Sequence, residues 1–251
     1  MMMTSMDSWH VGRLAEFGRR RRRREGHGQR MESRGAVLFD LDGTLVDTLP
    51  DLLWAMNALM DEMGRRPIAA AELRGWIGDG VAALVKRALE ATGGLADASA
   101  AAAAERYLTH YASHVAVESR AYPSVAPALQ ALRSAGYRLG VCTNKPTRLA
   151  VAILESLGLI ASFAAVVGGD SVAARKPDAE HIFATLRAMD AGGGKRLMVG
   201  DSGNDVAAAR HAAIPVVVVS YGYAHGAPAD LGADAVIDDF AALPTLVEQI
   251  L

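Results

Sequence analysis

Four short segments of this 251-residue sequence combine carboxylate, hydroxyl, amide or ammonium side chains, and each lies after a short apolar run. Such groups can bind a phosphate, hold a divalent cation, or serve as a nucleophile and a general acid–base catalyst. The segments contribute, in chain order, Asp40, Asp42 and Thr44; Thr143 and Asn144; Lys176; and Asp201 and Asp205.

The chemistry that this set favours is phosphoryl transfer assisted by a hard cation. Oxygen ligands without histidine suit Mg²⁺, which binds through a few carboxylates and a substrate phosphate. Four carboxylates against the one ammonium of Lys176 leave a net charge of −3, which one Mg²⁺ reduces to −1. One carboxylate can then attack phosphorus while a second protonates the leaving oxygen, and Lys176 and Thr143 can hold the phosphoryl oxygens.

The elements around these segments predict an α/β fold, a doubly wound parallel sheet with an inserted helical subdomain. Since ligands of such sheets bind beyond the carboxyl ends of the strands, we expect the four segments to converge there. The runs that we predict as strands are 36–39, 138–141, 165–167, 196–199, 216–219 and 235–237.

The segment between the first strand and Tyr122 contains helical patterns at 49–63, 81–91 and 98–117 but no convincing strand. We therefore predict three regions. Residues 51–120 would form a helical cap, residues 35–50 and 121–251 a catalytic core, and residues 1–34 a basic, disordered extension.

The formal net charge of −2 conceals a strong asymmetry. Residues 1–34 contain nine arginines and four acidic residues, a net charge of +5, so the remainder carries −7. Nucleic-acid binding needs clustered Lys and Arg, which argues against the acidic body as a partner for nucleic acid. We interpret the arginine-rich segment as a tail without function or an overcalled translation start. The alternative is a segment that binds nucleic acid or anionic lipid, which would be lost from a chain beginning at Met31.

One cysteine, Cys142, excludes an internal disulfide framework and a cysteine-rich zinc site. The sequence also contains no apolar run of about 18 residues and no secretory h-region, so we predict a cytoplasmic protein without a membrane partner. Cys142 to Arg148 does fit the Cys-x5-Arg loop of cysteine-dependent phosphatases. That loop needs free backbone N–H groups, but this segment contains Pro146 and no glycine, so we predict a buried, inert thiol.

The four segments resemble, in their order and spacing, the four motifs of the haloacid dehalogenase superfamily. They read Asp-Leu-Asp-Gly-Thr-Leu-Val-Asp-Thr at 40–48, Thr-Asn-Lys at 143–145, Arg-Lys-Pro-Asp at 175–178 and Gly-Asp-Ser-Gly-Asn-Asp at 200–205. Within the superfamily, the stretches at 76–80, 141–146, 168–171, 221–223 and 237–240 resemble the bacterial phosphoglycolate phosphatases. The sequence departs from them in the basic extension and in Ala179-Glu180-His181, where relatives usually carry a proline.

The resemblance implies a role for each residue of the set. Asp40 would be the nucleophile that forms an aspartyl-phosphate, and Asp42 the general acid and then the general base. The cap would close over the substrate and exclude water. The substrate-binding residues would be Thr44, Thr143, Asn144 and Lys176, and the Mg²⁺ ligands Asp40, Asp42 through its backbone carbonyl, Asp201 and, in or near the coordination sphere, Asp205.

The resulting prediction is a Mg²⁺-dependent phosphatase that converts 2-phosphoglycolate to glycolate and phosphate. The nearest alternatives are relatives that act on a sugar phosphate, N-acetylmuramate 6-phosphate or pyrophosphate, and then a phosphomutase. Asp42 argues against a dehalogenase, and a non-catalytic or nucleic-acid-binding module is disfavoured because the whole catalytic set is present. The glycolate carboxylate would need donors from the cap, for which the candidates are Arg74, Lys86, Arg87 and the backbone of 78–80.

Overall fold

The centre of the structure, a computed structural model that describes residues 33–94, 99–191, 193–223 and 226–251, is a six-stranded parallel sheet. Its strands lie in the order β5-β4-β1-β6-β7-β8, and β2 and β3 pair separately as a short antiparallel ribbon. The strands are β1 (Gly35–Phe39), β2 (Val46–Asp47), β3 (Arg120–Ala121), β4 (Tyr137–Thr143), β5 (Ala165–Gly168), β6 (Lys195–Gly200), β7 (Val216–Val219) and β8 (Ala235–Ile237).

Helices cover both faces of this sheet, which confirms the predicted fold class. Strands buried on both faces are continuous apolar runs, as in β1 and β7, where every residue is buried. Alternate residues of β1 accordingly enter two different cores: Val37 and Phe39 pack on one face, Ala36 and Leu38 on the other. The core helices are α5 (Val125–Ser134), α6 (Thr147–Ser156), α7 (Ala179–Ala188), α8 (Gly203–His211) and α9 (Leu243–Ile250).

In the described part of the segment between β2 and β3, four helices form what we call the helical insertion (residues 49–113). They are α1 (Leu49–Glu62), α2 (Ala70–Arg74), α3 (Val81–Ala91) and α4 (Ala100–Ser113). The three longer helices bury apolar stripes; for example, α1 buries Met56 and Leu59, and α3 buries Leu84 and Leu89. The short α2 buries Leu73.

The structure differs from the sequence prediction at the edges of this insertion. The β2–β3 ribbon and α2 were not predicted, since strands of two residues and a helix of five give no periodic pattern. Helix α4 ends at Ser113 rather than near Val117. The chain turns there because the buried carboxylate of Asp51 accepts hydrogen bonds from the backbone of Glu118 and Ser119, and Ala116 takes a left-handed conformation with φ of 56°.

Residues Ser33 to Leu251 form one compact unit. The predicted disordered extension lies outside the described residues, apart from Ser33 and Arg34. Arg34 contributes to the compact unit, where it pairs with Glu248 at 3.1 Å and lies over the ring of Tyr137. No helix within the described ranges has the length and apolar character needed to cross a membrane.

Candidate active site

Strand order brings three of the predicted segments to one edge of the sheet. β1 lies between β4 and β6, and Phe39 is in register with Val141 on one side and Val199 on the other. Asp40 follows Phe39 directly, Thr143 lies two residues beyond Val141, and Asp201 two beyond Val199. The expected convergence at the carboxyl ends of the strands is therefore observed.

Three buried carboxylates and one ammonium group form the centre of this edge. Asp40, Asp201 and Asp205 each offer an oxygen, and these oxygens lie within 4.8 Å of one another. Lys176 Nζ lies 3.1 Å from Asp40 Oδ1 and donates a hydrogen bond of 2.6 Å to Asp205 Oδ1. The four side chains are almost completely buried, so their charges interact strongly.

The electrostatics of this cluster show a shortage of positive charge. Burial raises the pKa of Asp40 to about 6 against the opposing charge of Lys176. Burial, with the charges of Asp205 and Asp40, raises the pKa of Asp201 well above its usual range. Burial alone would lower the pKa of Lys176, but Asp205 and Asp40 hold it above its ordinary value, so the ammonium stays charged. A divalent cation among the three carboxylates would relieve their repulsion.

Asp205 is fixed by the turn that leads into α8. Its Oδ2 accepts from the backbone N–H of Asp201 and Ser202 and from Ser202 Oγ at 2.7 Å, while Oδ1 accepts from Lys176. A side chain at Gly200 would place Cβ 2.3 Å from Asp205 Cγ, so only glycine permits this approach. Ser202 is the N-cap of α8, and Asp205, the third residue of the helix, accepts from the Ser202 N–H as part of a capping box.

Asp201 is held by two loops. Thr44 Oγ1 donates to Asp201 Oδ1 at 3.2 Å, and the Tyr223 N–H donates to Oδ2 at 2.6 Å. Gly222 permits this contact, because a Cβ there would lie 2.2 Å from Asp201 Cβ. Thr44, predicted to bind substrate, therefore positions a carboxylate in this structure.

Asp42 lies at the edge of the cluster, with 14% of its side chain exposed. Thr48 Oγ1 donates to its Oδ1 at 2.7 Å, and Lys145 Nζ donates to both oxygens at 3.0 and 3.1 Å. Lys145, the third residue of its motif, was not among the predicted site residues. With Lys145 included, the four carboxylates face two ammonium groups, so one divalent cation brings the site to neutrality.

Thr143 and Asn144 are buried beside this cluster. The Thr143 hydroxyl accepts from the Lys145 N–H at 3.3 Å. Asn144 Nδ2 donates to the carbonyls of Gly78 and Lys176, both at 2.9 Å, and so joins the core to the helical insertion. Asn144 Oδ1 is buried without a hydrogen-bond partner.

A cleft that is partly open to solvent lies above these residues, between the core and the helical insertion. Asp40, Asp42, Thr143, Asn144, Lys145 and Asp201 line it from the core, and Leu52, Ile77, Gly78, Gly80, Leu84, Tyr107 and Tyr111 line it from the insertion. The arrangement can therefore present a carboxylate nucleophile, a second carboxylate and an ammonium group to one small enclosed ligand.

The cationic side chains of the insertion that were candidates to bind the glycolate carboxylate contact other protein groups. Arg74 donates to the backbone carbonyls of Tyr221 and Gly222, and Arg87 donates to Asp79 and to the Trp76 carbonyl. Lys86 is exposed and lies 3.7 Å from Glu90. Of the four candidates, the backbone around Gly78 and Gly80 is the one that lines the cleft.

Cys142 and His181 are two further buried residues of the core. Cys142 is completely buried, and burial raises the pKa of its thiol to about 12, as expected of an inert strand residue. His181 is also buried: its Nδ1 accepts from the Lys176 N–H at 3.3 Å, and its Nε2 lies 3.1 Å from the Val167 carbonyl. This pattern requires the neutral ring with the proton on Nε2.

Comparison with known proteins agrees with this geometry. The family model of haloacid dehalogenase-like hydrolases matches residues 35–213. A phosphoglycolate phosphatase of Agrobacterium fabrum is 45% identical over 218 residues, which cover 86% of this chain and 93% of that protein. One from Rhodospirillum rubrum is 46% identical over 213 residues, covering 83% and 88%. The crystal structure of a predicted phosphoglycolate phosphatase from Haemophilus somnus superposes with a TM-score of 0.80 at 31% identity and covers 86% of this chain and 99% of that one.

Proposed function

Because the chain belongs to the haloacid dehalogenase-like hydrolase family, we propose that it is a Mg²⁺-dependent phosphatase that hydrolyses 2-phosphoglycolate to glycolate and phosphate. The observation that carries this proposal is the buried Asp40, which shares Lys176 with Asp205 and opens into the cleft beside Asp42. The names of the two bacterial relatives support the choice of substrate.

Asp40 is the nucleophile of the proposed reaction. Its backbone N–H donates to the Val199 carbonyl, and its Oδ1 accepts from the Leu41 N–H at 2.7 Å, so the carboxylate has a fixed direction at the strand end. In the first step an Asp40 oxygen bonds to phosphorus as the ester P–O bond breaks. Lys176, which lies beside Asp40, and the Thr143 hydroxyl neutralise and orient the phosphoryl oxygens.

Asp42 is the proton donor in the first step and the proton acceptor in the second. As a carboxylic acid it protonates the departing glycolate oxygen, and the resulting carboxylate then removes a proton from the water that attacks phosphorus. This attack breaks the bond between phosphorus and the Asp40 oxygen and regenerates the carboxylate of Asp40. Thr48 and Lys145 hold the carboxylate of Asp42 in place through their hydrogen bonds.

The donor set fits Mg²⁺, because it offers oxygen ligands at a site that lacks positive charge. Asp40, the backbone carbonyl of Asp42, and Asp201 would hold the ion, with Asp205 beside them. Bound Mg²⁺ would reduce the repulsion between the carboxylates and the substrate phosphate. In this arrangement Asp205 fixes Lys176 and the turn at 200–205.

The helical insertion serves as the cap in this proposal. The catalytic core comprises residues 35–50 and 121–251, and the cap comprises residues 51–120. Its side chains Leu52, Ile77 and Leu84 make the upper wall of the cleft apolar, which excludes water from the aspartyl-phosphate until the leaving group has departed. The small phosphorylated substrate is then enclosed by both parts.

The test compares Asp40→Asn with Asp230→Asn, an exposed aspartate outside the cleft. With Mg²⁺ present, we expect Asp40→Asn to lower kcat for 2-phosphoglycolate by about 10³-fold or more, because amide nitrogen and oxygen are poor nucleophiles toward phosphorus. Asp230→Asn should retain the wild-type rate. A near wild-type rate in Asp40→Asn would contradict the assignment of the nucleophile.

The choice of substrate needs a second measurement, kcat/KM for 2-phosphoglycolate, hexose phosphates, N-acetylmuramate 6-phosphate and pyrophosphate. We expect 2-phosphoglycolate to have the highest value. An equal or higher value for one of the others would replace the substrate and leave the phosphatase chemistry in place.

A further inference from the structure

Two tyrosines of the helical insertion have buried hydroxyls that no group in the structure satisfies. Tyr107 and Tyr111 lie four residues apart on α4 and are almost completely buried, and neither hydroxyl has a hydrogen-bond partner. Both residues line the cleft. A buried hydroxyl without a partner is unfavourable because it has lost its hydrogen bonds to water, so two of them in one cleft point to a polar group of the ligand.

A cationic side chain lies beside these hydroxyls. Lys145 Nζ is 4.5 Å from the centre of the Tyr111 ring, and Tyr107, Lys145 and Asp42 are close enough to influence one another electrostatically. Lys145 is the one lysine or arginine among the cleft-lining residues of the described chain. Two of its three N–H donors are used on Asp42, which leaves one for a ligand.

The size of the proposed substrate connects this cluster with the reaction. Asp42 must contact the ester oxygen, and in 2-phosphoglycolate the carboxylate is separated from that oxygen by a single CH₂ group. The carboxylate oxygens therefore lie about 3–4 Å from the ester oxygen. Lys145 Nζ is 3.0 Å from Asp42, so it lies within reach of the carboxylate whenever the ester oxygen is on Asp42.

We propose that Lys145, Tyr107 and Tyr111 form the subsite that binds the leaving-group carboxylate and selects 2-phosphoglycolate. This inference rests on the proposed function. The ammonium of Lys145 bridges Asp42 and the substrate carboxylate, and the two hydroxyls donate to the carboxylate oxygens. The core thus provides the charge, and α4 of the insertion provides the hydrogen bonds that an uncharged leaving group cannot use.

The experiment measures selectivity, the kcat/KM for 2-phosphoglycolate divided by that for ethyl phosphate, which has the same two carbons without the carboxylate. Tyr107→Phe and Tyr111→Phe remove one hydroxyl each and keep the ring. We expect each to lower the selectivity by about 10-fold or more, because each removes one hydrogen bond to the charged carboxylate. Lys145→Gln should lower it at least as much, although it also slows both substrates through Asp42.

Tyr137→Phe is the matched control, because Tyr137 is a buried tyrosine of β4 that does not line the cleft. We expect its selectivity to equal that of the wild type. Binding gives a second readout: in the Asp40→Asn background, calorimetric titration with 2-phosphoglycolate should show weaker binding after either Tyr→Phe change, whereas binding of ethyl phosphate should change much less.

Two results would overturn the subsite. One is a selectivity that stays within about twofold of the wild type in all three variants; the other is an equal loss for both substrates in the Tyr→Phe variants, which indicates a structural role. Failure of the proposed function has a different signature, since the wild-type protein would then not turn over 2-phosphoglycolate at all.

Discussion

The buried ring of His181 makes the stability of this protein depend on pH in a calculable way. The ring joins the end of β5 to the loop that carries Lys176, and it must be neutral to accept the Lys176 N–H. Burial, reinforced by the positive charge of Lys176 and opposed by Asp205 and Asp170, lowers its pKa to about 4. In the unfolded chain the same ring has a pKa of about 6.5.

The sign of the effect follows from which state binds the proton. Between the two pKa values the unfolded chain binds a proton that the folded protein does not, so the free energy of unfolding rises with pH. The contribution of His181 is complete above about pH 6.5 and is lost as the pH falls toward about 4. The two pKa values give a loss of about 1 kcal/mol at about pH 5.5 and about 2 kcal/mol at about pH 5.

His181→Gln removes the titration while keeping an acceptor and a donor at this position. Urea unfolding of both proteins at several pH values, with EDTA present to remove metal linkage, gives the free energy of unfolding. Other groups also titrate in this range, but they do so in both proteins and cancel in the difference. We expect the wild type to lose about 2 kcal/mol more than His181→Gln between about pH 7.5 and pH 5. Parallel pH curves for the two proteins would refute the reasoning.

Four other perturbations have defined outcomes. Gly222→Ala forces the loop away from Asp201, so calorimetric titration should show Mg²⁺ binding about 10-fold or more weaker, and unchanged affinity would contradict this contact. Asp51→Asn leaves part of a buried three-donor site unsatisfied and should lower the urea-derived free energy of unfolding by about 1–3 kcal/mol; no loss would contradict the burial. Cys142 should react with iodoacetamide about 10³-fold more slowly in the native protein than in urea, since its pKa is about 12. Cys142→Ser should keep phosphatase activity. If Cys142→Ser were inactive and Asp40→Asn active, cysteine would be the favoured nucleophile.

The sheet could be predicted because its strands carry their own signal. Val216–Val219 and the residues before Asp40 are apolar runs that stop at turn residues, and parallel pairing then brings their ends together. The two-residue strands of the β2–β3 ribbon are defined by long-range pairing, Val46 with Ala121, which no local pattern encodes. The end of α4 depends in the same way on Asp51, a residue more than sixty positions away.

In the candidate site, too, some features could be predicted from local sequence and others depend on long-range contacts. The motif spacing identified Asp40, Asp42, Lys176 and Asp201, and the structure brings them together. What spacing could not give is the partner of each side chain. The motif predicts that Thr44 binds substrate, but in the folded chain its hydroxyl donates to Asp201. The sequence predicts Arg74 and Arg87 as cations of the cap that are available to the substrate. In the structure, Arg74 donates to a backbone carbonyl, and Arg87 donates to a backbone carbonyl and to Asp79.

Tyr107 and Tyr111 show why selectivity is the harder part to infer from sequence. With Ala103 they form the buried stripe of α4, spaced at intervals of four residues, a pattern that a core-facing helix also produces. Only the fold shows that this stripe lines a cleft and that its hydroxyls lack partners. In the proposed mechanism, the strand ends of the core supply the nucleophile and the charge that any phosphate ester requires. Discrimination between esters must come from groups that contact the leaving portion, and in the proposed subsite those groups are Lys145 and the two tyrosines on one face of α4. Exchange of residues on that face, with the core unchanged, is therefore the change that we expect to alter the substrate without altering the chemistry.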